Sequence, residues 1–68
     1  MENFMISISD DYLSKIEDIS KELEKLGFKT NKILSNLGII TGSIADVNSI
    51  KNIEGIASIE KEITMTHT

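Results

Sequence analysis

The chain has no cysteine, one histidine, only three aromatic residues and no apolar run longer than two or three residues. Each scarcity closes off a class of function. Without cysteine there is neither a disulfide nor a thiolate metal site, so the redox compartment is left open. A face that binds nucleic acid needs basic residues interleaved with aromatics. Here the aromatics are Phe4, Tyr12 and Phe28, and the net charge is −4 with a pI near 4.8. Nucleic acid is therefore disfavoured as a partner. The short apolar runs cannot supply a membrane-spanning helix, so no membrane partner is expected. The opening MENFMISISD lacks the basic-then-apolar order of a secretion signal. Together these features point to a cytoplasmic chain.

Catalytic signals are equally sparse. The one histidine, His67, belongs to the polar stretch ITMTHT, where nothing fixed orients it as a base. No serine stands in a Gly-x-Ser-x-Gly turn. The carboxylates Glu17, Asp18, Glu22 and Glu24 have the spacing of a solvated helix face and share it with no histidine. NLGIITG has neither the spacing nor the lysine of a phosphate-binding loop. The expectation is a non-enzymatic protein without cofactor or metal.

What is present is a clear alternation of patterns. Sixty-eight residues with 40% apolar and 26% charged content make one small globular domain. A core of that size rarely yields more than about 3–5 kcal/mol, so a binding partner would help it. Phe4, Ile6 and Ile8 alternate with Met5, Ser7 and Ser9, the period of a half-buried strand. Asp10 or Asp11 is positioned to cap a helix whose apolar stripe is Leu13, Ile16, Ile19 or Ser20, Leu23 and Leu26. Gly27 stops that helix. A second, partly exposed strand follows over Phe28 to Leu34, with Phe28, Thr30, Lys32 and Leu34 on one side. Ser35 to Gly38 make a turn, and Ile39 to Ile44 form the most apolar strand. Within it, Gly42 signals a bulge or the close approach of another backbone. Asp46 caps a short second helix with inner face Val47, Ile50 and Ile53, ended by Gly55. A last strand starts near Ile56 and runs through Ile59 to Ile63 and Met65.

The order strand, helix, strand, strand, helix, strand predicts an α+β fold. Its expected form is a ferredoxin-like β-α-β-β-α-β sandwich, a four-stranded antiparallel sheet with two helices on one face. The domain spans residues 1–68, with 64–68 as a flexible C-terminal tail. Copper-chaperone versions of this fold carry Cys-x-x-Cys after the first strand, where this chain has Ser7, Ile8, Ser9 and Asp10.

Residues 36–62 carry a more specific pattern. Asn36, Leu37, Gly38 and Ile39 open the third strand; Val47, Ile50 and Ile53 follow; then come Glu54, Gly55, Ile56, Ala57, Ser58, Ile59 and Glu60. This succession resembles the propeptides of subtilisin-like serine proteases, an inhibitor family that includes free-standing proteinase inhibitors. Glu54 stands where that family usually has proline, and Ser58 where it often has an aromatic. The resemblance implies a binding domain that inhibits, or assists the folding of, a subtilisin-like protease through an extended tail. Thr68 would enter the primary specificity pocket, with Thr66 and His67 behind it and Met65 in the apolar pocket four places from the end. Glu60 and Glu62 would lie at the contact between sheet and protease helices. The chain also resembles short bacterial proteins labelled aldolases, but 68 residues cannot form the barrel used by that chemistry. The alternative is a small homodimeric interaction or ligand-binding regulatory module, with Phe28, Ile39 and the open sheet face as its interface.

Overall fold

The computed structural model describes residues 2–62. Strand β1 spans Glu2–Ile8, and its alternation holds: Phe4, Ile6 and Ile8 are buried while Met5 and Ser7 are half-buried. The chain then enters a 3-10 turn, Asp10–Lys15, before helix α1 begins at Ile16 and runs to Lys25. The expected single helix from Asp11 is thus divided. Lys15, at φ −110° and ψ 15°, leaves helical geometry and breaks the run. Asp10 and Asp11 make no cap; Ser9 precedes the turn, also without a side-chain cap bond. Their charge still favours the positive end of the turn.

Helix α1 buries Ile16, Ile19, Ser20 and Leu23, the stripe expected from the spacing, while Leu26 is 42% exposed. Ser20 is accommodated because its hydroxyl lies 3.5 Å from that of Thr30. Gly27 ends the helix at φ +101°, a left-handed conformation that costs any side chain with a Cβ. Strands β2 (Lys29–Leu34), β3 (Ile39–Ile44) and β4 (Ile56–Lys61) follow, and the sheet order is β2-β3-β1-β4 with every neighbouring pair antiparallel. It follows that β1 is parallel to β2 and β3 to β4, each pair divided by one inserted or flanking strand. The fold is α+β.

The second helix is replaced by a single 3-10 turn, Val47–Ile50. Val47, Asn48, Ser49 and Asn52 are poor helix formers, and the Asp46 side chain accepts from the Asn48 N–H at 3.0 Å, closing a turn instead. Gly55 accordingly ends no α-helix; at φ +99° it turns the chain into β4. The turn still sends Ile50 into the core, where Ile6, Leu23, Phe28, Ile40 and Ile50 are the most deeply buried large side chains. Each such burial contributes about 1.5–3 kcal/mol. Both α1 and the Val47–Ile50 turn therefore cover the same face of the sheet.

Gly42 has a steric reason. A Cβ placed there would meet Phe28 Cε2 at 2.5 Å and the Lys29 carbonyl oxygen, so the missing side chain is what lets the Phe28 ring lie on β3. Phe28 is thus a core residue, 2% exposed, and not part of an open interface. Because backbone cannot yield as a flexible side chain does, Gly42→Ala should destabilise the domain by about 2–3 kcal/mol. Chemical denaturation of the two proteins measures the difference; equal midpoints would contradict this packing.

Candidate functional site

Among the described residues no element covers the face of the sheet opposite α1, and the register decides what it displays. In antiparallel pairs, residues directly opposite share a face. Lys29 lies opposite Ser43, Ser43 opposite Asn3, and the Glu62 N–H reaches the Asn3 carbonyl at 2.8 Å, forming one row across all four strands. The next row is Lys32, Thr41, Met5 and Glu60; the third is Leu34, Ile39, Ser7 and Ser58. Both lysines therefore stand on edge strand β2 and both glutamates along the opposite edge, at and just beyond β4, all four exposed. Met5 and Ile39, between them, are half-buried.

Strict alternation along β2 would have put Lys29 and Lys32 on opposite faces. The register shift between Thr30 and Lys32 absorbs Asn31 as an extra residue and turns Lys32 to the side of Lys29. The same shift places Ile33 opposite Ile40 on the core side and Leu34 on the open side, so the expected grouping of Thr30 with Lys32 and Leu34 is corrected. A bulge in β4 at Ala57 likewise keeps Ile56 and Ile59 both on the core side, opposite Ile8 and Ile6.

Of the residues singled out for protease binding, Glu60 and Glu62 are brought together on the exposed β4 edge. Met65, Thr66, His67 and Thr68 lie outside the described residues. Beside Glu62, a polar hollow of about 340 Å³ is lined by Asn3, Lys29, Asn31 and Ser43. Below it, Lys61 and Glu2 form an ion pair at 2.6 Å between exposed side chains, staples β4 to β1, and holds the Glu2 carboxyl below its ordinary range. In such exposed surroundings the pair adds little stability.

At the centre of the open face, the Thr41 hydroxyl is buried and has no hydrogen-bond partner among the described residues. An unpaired buried hydroxyl costs free energy, and valine has the same shape without it. Thr41→Val should therefore stabilise the domain by about 1 kcal/mol, read as a higher denaturation midpoint. A lower midpoint would mean that the hydroxyl is hydrogen-bonded in solution.

A second concavity, of about 320 Å³, runs on the other side beside α1, where the short Val47–Ile50 turn leaves the helix partly uncovered. Ile19 and Ile53 form its floor. The Tyr12 hydroxyl donates to Glu54 Oε1 at its mouth, and the Lys15 ammonium sits 5.9 Å from the Tyr12 ring centre. Neither the Tyr12–Glu54 pair nor the lysine edge was signalled in the sequence, since both depend on long-range approach. The bond to the Glu54 carboxylate, with lesser contributions from burial and neighbouring negative charge, raises the Tyr12 phenol above its ordinary value. A raised folded-state pKa stabilises below the ordinary value of 10.0 and is lost as pH climbs through the folded one. Tyr12 is the one tyrosine and there is no tryptophan, so tyrosinate absorbance reports it alone. Glu54→Gln should shift that titration downward towards the ordinary value; an unmoved curve would remove Glu54 as the cause.

Among the described residues no helix is long and apolar enough to cross a membrane. Compared with known proteins, the chain matches no family model, no curated protein and no solved structure.

Proposed function

We propose that this chain is a non-enzymatic binding domain of ferredoxin-like architecture that inhibits, or assists the folding of, a subtilisin-like serine protease. The order β2-β3-β1-β4 and the crossover through α1 support the architecture, with the Val47–Ile50 turn in the place of its second helix. The observation that carries the functional reading is the position of β4. It is an edge strand whose outer side pairs with no strand among the described residues, and it leads into residues 63–68.

In this reading the open face rests on surface helices of the protease. Glu60 and Glu62 meet the positive N-terminal ends of those helices, where a carboxylate accepts unpaired backbone N–H groups. The segment Met65–Thr68 lies extended in the substrate cleft and pairs with its edge as an added strand. No cofactor, nucleic acid or membrane takes part.

The test is inhibition of a subtilisin by the intact chain at micromolar concentration. Inhibition is expected, and removal of Met65–Thr68 should abolish it. Glu60→Ala with Glu62→Ala should weaken it by about 5–30-fold, the range of one or two helix-terminus contacts. A protease unaffected by the intact chain would end the proposal.

A further inference from the structure

We infer that the open face of the sheet is self-complementary and that a second copy of this chain is its occupant in solution. The charges on that face are segregated: Lys29 and Lys32 along β2, Glu60 and Glu62 along the opposite edge. Consider two copies facing each other across a two-fold axis parallel to the strands. β2 of one copy then lies over β4 of the other, and β3 over β1. Each row meets its own symmetry mate, so Lys29 faces Glu62 and Lys32 faces Glu60 on both sides of the interface. A two-fold axis running across the strands instead puts Lys32 over Lys32 and Glu60 over Glu60. The charge pattern therefore selects one arrangement and opposes the other.

The centre suits the same arrangement. Thr41 of one copy comes over Met5 of the other, and the half-buried Ile39 over Ser7, so the middle of the contact carries no charge. Two sheets packed face to face keep their strands within about 30° of each other, about 10 Å apart, a gap that lysine and glutamate side chains span from either side. Size sets the strength. Four strands about 4.8 Å apart and six residues long span roughly 400 Å² per copy. That is about half of the roughly 800 Å² each partner contributes to a standard stable interface. The pair is accordingly weak, exchanges rapidly, and depends on its charges for register.

This inference does not rest on the protease reading; a protease bound to the same face displaces the second copy. The experiment is sedimentation of the full chain over a concentration range up to about 1 mM, the regime of weak interfaces, together with two charge-reversed variants. One is Lys29→Glu with Lys32→Glu; the other is Glu60→Lys with Glu62→Lys. Their net charges shift by equal and opposite amounts, so a mixed pair carries the same total charge as two native chains. The native chain should pass from monomer to dimer with rising concentration, each variant alone should stay monomeric, and their equimolar mixture should dimerise as the native chain does. A native chain that stays monomeric overturns the inference, as does a dimerising single variant or a mixture that stays monomeric. Should a variant fail to fold, concentration-dependent amide shifts in the native chain decide: confined to Met5, Ile39 and Thr41 they support this face, and confined to the groove beside α1 they exclude it. A monomeric chain that inhibits a subtilisin refutes only this inference; a dimer without inhibition refutes only the protease reading.

Discussion

The ring of Phe28 lies on the bare backbone of Gly42, and the remainder of the domain is arranged around that contact. Phe28 follows the Gly27 turn at the end of α1, with its N–H bonded to the Leu23 carbonyl at 3.0 Å. One aromatic ring thus joins the helix, the start of β2 and the middle of β3. In a domain of this size few side chains can do so, because the chain has only two phenylalanines and the other, Phe4, sits on β1. The ring can reach β3 only where no Cβ intervenes.

A consequence appears two residues later. With Phe28 held over Gly42 and Thr30 opposite Gly42 in the ladder, β2 takes up Asn31 as a bulge before pairing resumes at Lys32. That bulge, next to the core contact, sets which side chains the opposite face displays. Lys29 and Lys32 come to the same side, across the sheet from Glu60 and Glu62. A face that would have been mixed becomes polarised from edge to edge, and the self-complementarity inferred for it follows from that polarity.

The other side shows what a short connection costs. Replacing a helix with the Val47–Ile50 turn keeps Ile50 in the core but leaves Val47 and Ile53 only partly buried. Tyr12 and Glu54 close the resulting gap with a hydrogen bond rather than with apolar packing. The lesser cover makes this the less tightly packed end, whereas the sheet and α1 hold the well-buried residues.

The local patterns determined a good deal unaided. The period of two in Phe4, Ile6 and Ile8, the helical spacing of Ile16, Ile19, Ser20 and Leu23, the Asp46 cap and the bounds of β3 all follow from the short-range preferences of neighbouring residues. From these came the α+β class and the four strands; that Glu60 and Glu62 stand along a sheet edge came only with the strand order. The collapse of the second helix to one turn has local causes, whereas tertiary structure alone decided the break at Lys15, the bulge at Asn31 and the Tyr12–Glu54 bond. The physical reason is the same in each case. Propensity and spacing describe a segment by itself, but a bulge or a cross-chain hydrogen bond arises only when distant segments compete for the same space in a single small core.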